Sequence, residues 1–191
     1  MGPKHILLTG SPGVGKTTLV EKVVELCRRS NVPVEGFFTR EVRGSGGRRV
    51  GFDIITLDGQ TGPLARIDPT LRGPTVGQYT VTLDSLESLT LPLLLKADMG
   101  GILVIDEIGK MELYSKRFTT TVRKAFADPA GARILATIPV KGLHSLPLVE
   151  ELRSRPDVRV VEVSRQNRDS LDHKLFTLLQ ANSTDKNASN E

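Results

Sequence analysis

Residues 10–18 read Gly10-Ser11-Pro12-Gly13-Val14-Gly15-Lys16-Thr17-Thr18, a complete G-x-x-x-x-G-K-[ST] phosphate-binding loop. Such a segment dictates its surroundings. A chain that wraps a polyphosphate turns its backbone N–H groups inward, so it needs a strand leading in, a helix leading out, and little Cβ bulk between them. Gly10, Gly13 and Gly15 allow the close approach, Lys16 is expected to reach the β- and γ-phosphate oxygens, and the Thr17 hydroxyl to ligate Mg²⁺. The flanks match. Ile6-Leu7-Leu8-Thr9 is an apolar run suited to a buried parallel strand, and Leu19, Val20, Val23, Val24 and Cys27 follow at helical spacing. The implied ligand is a nucleoside triphosphate.

Beyond the loop, strand and helix patterns alternate. Strands are expected at Ile102 to Ile105, Arg133 to Ile138 and Val158 to Val163. Between and after them come helices capped by Ser115, opened by Pro147, and marked by Leu171, Leu175, Leu178 and Leu179. This alternation predicts an α/β fold of the P-loop class, three layers α/β/α on a mainly parallel sheet. An inserted antiparallel β element breaks the pattern. Val34 to Val42 and Arg49 to Leu57 flank Gly44-Ser45-Gly46-Gly47 as a hairpin, 58–77 is Gly/Pro-rich and irregular, and Gln78 to Thr82 is a short strand. A helix over Asp84 to Lys96 should break at Pro92. The chain reads as one domain over 1–180 containing a β-rich insertion at 34–82, followed by a disordered polar tail at 181–191.

The second half of a phosphate-transfer site lies at Ile102-Leu103-Val104-Ile105-Asp106-Glu107, an apolar strand ending in two acids. Asp106 is expected to hold the Mg²⁺ shell, and Glu107 to take a proton from an attacking water. The turn Ile108-Gly109-Lys110 follows within reach of a γ-phosphate, so Lys110 is a candidate for stabilising developing charge or a solvated loop lysine, and Glu112 a carboxylate near the next helix.

Composition excludes several classes. The net charge is +4, with no Trp and only 4% aromatics, so no stacking platform for nucleic acid is legible. No apolar run approaches a membrane span or a signal-peptide core, and the single Cys27 cannot form an internal disulfide. A cytoplasmic protein with no membrane partner is expected.

These motifs, with Gly36-Phe37-Phe38-Thr39-Arg40-Glu41-Val42-Arg43, Gly51-Phe52-Asp53, Gly77-Gln78-Tyr79 and Asp106-Glu107-Ile108-Gly109-Lys110-Met111-Glu112-Leu113, resemble the nucleoside-triphosphatase family first known from thermophiles. Its animal branch is called cancer-related nucleoside-triphosphatase. The resemblance covers about residues 4 to 180 and implies a monomer that slowly hydrolyses ATP, GTP, CTP and UTP to diphosphate and phosphate with Mg²⁺. It also implies nucleotide contacts at Gly10 through Thr17 and at Leu103, Val104, Ile105, Asp106, Glu107, Ile108, Gly109 and Lys110.

Two rival activities share the loop. A guanine-selective switch fits Asp106-Glu107-Ile108-Gly109, but the only Lys-x-Asp is Lys96-Ala97-Asp98, which lacks the preceding Asn or Thr and lies ahead of the metal strand. A small nucleoside or nucleotide kinase is the stronger rival. Arg40, Arg43, Arg48, Arg49 and Arg66 are its candidate phosphate-closing arginines, and equally the candidate internal arginine fingers of a hydrolase. Base recognition is assigned loosely to Thr137-Ile138-Pro139-Val140-Lys141 and Arg165-Gln166-Asn167-Arg168.

Overall fold

Strands whose residues are apolar at every position must be covered on both faces, and the central strands here are of that kind. In the computed structural model, which describes residues 2–96, 101–142 and 146–181, β1 (His5–Thr9), β7 (Ile102–Ile105) and β8 (Arg133–Thr137) are buried at every residue. Successive side chains go to opposite layers. Leu7, Leu103, Ile105, Ile134 and Ala136 join one core with residues of α2 (Leu83–Leu95), α3 (Lys116–Ala127) and α4 (Pro147–Arg153). Ile6, Leu8, Ile102, Val104 and Leu135 join the other with α1 (Lys16–Arg29) and α5 (Asp172–Ala181). The three-layer α/β/α expectation holds.

Among the described residues one sheet of nine strands runs in the order β5 (Thr75–Val76), β6 (Tyr79–Val81), β4 (Thr61–Arg66), β3 (Arg49–Thr56), β2 (Val34–Arg43), β7, β8, β1, β9 (Val158–Glu162). From β2 to β9 the pairings are parallel. From β2 outward through β3, β4, β6 and β5 they are antiparallel. β2 belongs to both halves: Val34 to Phe37 align with Ile102 to Ile105, and Phe37 to Arg43 with β3. Gly36, at φ +130, makes the parallel contact possible, since a Cβ there would overlap the Val104 backbone.

Three local expectations change. The hairpin therefore begins on a strand of the main sheet instead of being wholly inserted. The stretch 58–77 holds β4 and β5, whose ladder partners lie on β3 and β6, a pairing that Gly and Pro content conceals. Helix α2 passes through Pro92 without ending there; the proline's missing N–H costs only the bond to the Ser88 carbonyl, in the turn before it. The expected Ser115 cap is present, its Oγ accepting from the Phe118 N–H at 2.9 Å. The tail expected at 181–191 lies, after Ala181, outside the described residues.

His5 on β1 is fully buried, its ring tilted against that of Phe126 with centres 4.9 Å apart, and its Nδ1 accepts from the Ile134 N–H at 3.1 Å. Burial, aided by Lys4, lowers its pKa to about 4. Unfolded chain therefore takes up the proton first, and stability is lost as pH falls from about 6.5 towards 4. The full penalty is about 3 kcal/mol. Urea midpoints at pH 7 and pH 4.5 should differ more for the wild type than for His5→Gln; equal differences would exclude His5 as the acid-labile group.

Candidate active site

The loop Gly10 to Gly15 leaves β1 and delivers Lys16 to the first position of α1, with Gly15 at φ +104 as the residue before the helix. Gly10 has no room for a Cβ, which would strike the Val163 carbonyl beyond β9. Lys16 Nζ lies inside the curl, donating to the carbonyls of Gly10 at 2.7 Å and Ser11 at 3.3 Å. From outside, Arg168 Nη1 donates to the Val14 carbonyl at 3.1 Å, so this residue braces the loop. At the foot of the loop Arg153 Nη2 donates to Thr9 Oγ1 at 3.2 Å and to the Pro139 carbonyl at 2.7 Å, tying the ends of β1 and β8 together.

β8 separates β1 from β7 in the sheet, and this spacing sets the floor of the site. Asp106, directly after β7, is 3% exposed. Its Oδ1 accepts a hydrogen bond from the Thr137 hydroxyl at the end of β8, while its Oδ2 is buried without a hydrogen-bond partner. Burial raises its pKa; the Thr137 and Thr17 hydroxyls and the Lys16 ammonium pull it back down. A buried carboxylate oxygen left without a partner is expensive to keep unless a cation completes it. Mg²⁺ suits this donor set, because it is commonly held by one or two carboxylates plus phosphate oxygens and water. Among the described residues no cluster of His, Cys, Asp and Glu forms a complete protein cage.

Glu107 is partly buried, and burial together with the Asp106 charge raises its pKa to about 6. Glu112, expected near a helix start, opens a 3₁₀ turn over Glu112–Tyr114 and is only 2% exposed. Its Oε2 accepts from the Gly109 N–H at 3.1 Å, and burial lifts its pKa to about 8. Glu112 thus pins the turn that carries Lys110, which is exposed.

These groups share one cleft of about 570 Å³. It is lined by the loop and Lys16, Thr17 and Thr18 at one end, and by Asp106, Glu107, Lys110 and Glu112 in the middle. The far end reaches Thr39, Glu41, Arg49, Phe52, Leu64, Val76 and Met111. Ser11 and Val14 belong to the loop without lining the cleft, and Leu103, Val104, Ile105, Ile108 and Gly109 are buried behind it. Of the five candidate arginines only Arg49 lines the cleft; Arg40 pairs with Glu21, Arg43 with Glu41 and Arg66 with Asp53. Thr137, read from sequence as part of a base-packing loop, instead holds Asp106, while Pro139 and Val140 after it do line the cleft. In the other loop assigned to the base, Asn167 closes a turn, its Oδ1 accepting from the Ser164 N–H at 2.8 Å.

A family model described as NTPase matches residues 5–176. The chain is 49% identical over 187 residues to the cancer-related nucleoside-triphosphatase of Homo sapiens, covering 93% of this chain and 97% of that protein. It is 42% identical over 183 residues to the nucleoside-triphosphatase THEP1 of Thermotoga maritima, covering 95% and 98%. Among solved structures, that of a human cancer-related nucleoside triphosphatase superposes with a TM-score of 0.81 at 49% identity, covering 93% of this chain and 97% of that one. THEP1 from the hyperthermophile Aquifex aeolicus gives 0.78 at 38% identity, covering 92% and 99%.

Thr137→Val removes the hydroxyl that donates to Asp106 Oδ1 from the end of β8. Urea unfolding should show a loss of about 1–3 kcal/mol, with Thr137→Ser nearly restoring the wild type; an unchanged midpoint in the valine variant would mean that the bond contributes nothing.

Proposed function

The chain belongs to this nucleoside-triphosphatase family, and on that premise we propose that it hydrolyses nucleoside triphosphates to diphosphate and phosphate in a Mg²⁺-dependent reaction, slowly and with broad base tolerance. The observation that carries the reading is the buried Oδ2 of Asp106, without a hydrogen-bond partner, on a residue that lines the same cleft as Lys16 and Thr17. Gly10 through Thr18 cradle the phosphates, their backbone N–H groups and the N-terminus of α1 supplying positive potential. Asp106, Glu107 and Lys110 close the opposite side, with Leu103, Val104, Ile105, Ile108 and Gly109 buried behind them. Thr17 and Asp106 would hold a Mg²⁺ ion, whose charge would neutralise the phosphate oxygens.

Water attacks the γ-phosphorus in line with the bridging oxygen, forming one P–O bond as the bond to the diphosphate breaks. Glu107 orients this water and takes its proton. Its pKa near 6 keeps it mostly ionised at neutral pH while leaving it a better base than an ordinary carboxylate. Lys16 stabilises charge on the transferring group, and Lys110 adds a second cation from the turn that Glu112 fixes.

Slow turnover is supported by the engagement of four of the five candidate arginines, the fifth, Arg48, lying outside the cleft lining. Arg40, Arg43 and Arg66 are committed to ion pairs, and Arg49 Nε and Nη1 are held by Tyr79 and Glu41. P-loop hydrolysis without an arginine finger runs on the order of 10⁻⁴ to 10⁻³ per second. Broad base use is supported by the apolar Pro139 and Val140 on the cleft wall. A reducing, cytoplasmic setting accords with a buried free Cys27, and among the described residues no helix is long and apolar enough to cross a membrane.

Phosphate release from ATP, GTP, CTP and UTP should proceed with Mg²⁺ and no acceptor, vary little with the base, and stop with EDTA. Glu107→Gln should lower turnover by about 10²–10⁴-fold with nucleotide affinity nearly unchanged, and Lys16→Ala should weaken binding by about 10- to 150-fold. Release that requires an added nucleoside or nucleotide would replace this reading with a kinase.

A further inference from the structure

The proposed placement of the triphosphate leaves one end of the cleft unexplained. Lys16 reaches the β- and γ-phosphates, and the backbone of the loop cradles the α- and β-phosphates, so the γ end of the chain faces Asp106 and Glu107. In sheet order β2, β3 and β4 lie beyond β7, on the side away from β1 and its loop. The cleft continues in that direction, past the γ-phosphate, over Phe52, Leu64, Val76 and Met111. An attacking water has no use for this apolar wall, whereas a ring-bearing molecule does.

The wall also carries a prepared cation. Arg49 Nε donates to Tyr79 Oη at 2.9 Å and its Nη1 to Glu41 at 2.8 Å. The guanidinium lies 5.1 Å from the centre of the Phe52 ring and 5.6 Å from that of Tyr79. The two rings themselves meet edge to face at 5.3 Å. Arg49 is therefore oriented by three side chains, with Nη2 the donor group they do not hold. Glu41, which holds Nη1, is itself paired with Arg43. A fixed guanidinium beside an aromatic and aliphatic wall matches a molecule with a planar ring and a phosphate.

We propose that this lobe is a second ligand site that takes a nucleoside monophosphate, its base against Phe52, Val76 and Met111 and its phosphate on Arg49, while a triphosphate occupies the loop. The site rests on the orientation of the triphosphate given under the proposed function. It makes the protein a two-nucleotide binder whose second ligand sits next to the γ-phosphate.

The test titrates AMP, and adenosine in parallel, calorimetrically into full-length protein saturated with Mg²⁺ and the non-hydrolysable analogue AMP-PNP. One equivalent of AMP should bind to the saturated wild type. Phe52→Ala should weaken AMP and adenosine alike, by about tenfold. Arg49→Ala, a change at an exposed position, should weaken AMP by about tenfold and adenosine far less. Both variants should bind AMP-PNP as the wild type does. Absence of AMP binding to the saturated wild type would overturn the second site and leave the hydrolase reading intact. Equal losses for AMP-PNP and AMP would assign the lobe to the triphosphate's own base. Failure of the wild type to bind AMP-PNP would overturn both.

Discussion

A carboxylate that is held out of water, hydrogen-bonded on one oxygen and unpartnered on the other, organises the ligand edge of this molecule. Asp106 can sit there only because β7 runs straight through the core and ends where β1 and β8 also end. Thr137 meets it from the end of β8, the loop faces it from the end of β1, and Glu107 follows it in the chain. Desolvation opposes the charged form at this position, so the arrangement is understandable as one that a bound cation completes.

The same economy runs through the acids behind it. Asp106, Glu107 and Glu112 all have raised pKa values, each with burial as the leading cause. Their surroundings nonetheless divide the work among them. Asp106 keeps an open oxygen, Glu107 faces the cleft with a pKa near that of a useful base, and Glu112 spends its Oε2 on the Gly109 backbone. A carboxyl with a pKa near 8 carries little charge at neutral pH, so Glu112 shapes the turn without adding much negative potential beside a polyanion.

What was legible in the sequence was local. The loop, the strand ending in Asp106 and Glu107, and the Ser115 cap are each written in consecutive residues whose chemistry is visible without knowing the fold. What escaped depends on strand pairing. Thr137 acquires its role because β8 lies between β1 and β7, and nothing in the run around it announces Asp106 as a partner. β4 was hidden by Gly62 and Pro63 in a strand of mixed burial. Arg49 and Phe52 come to the cleft only through the antiparallel pairing of β3 with β2. Periodicity located Arg168 after a strand but could not show that its guanidinium braces Val14.

Asp106→Asn separates a metal-binding carboxylate from a merely structural one. The change removes a charge that burial disfavours while keeping an oxygen to accept from Thr137. Paired measurements on that variant, urea unfolding without ligand and Mg²⁺ titration in the presence of AMP-PNP, should show a fold at least as stable as the wild type and Mg²⁺ binding weakened by about tenfold or more. A variant that loses stability yet binds Mg²⁺ with AMP-PNP as the wild type does would contradict the account, because Asp106 would then hold the sheet together without holding the metal.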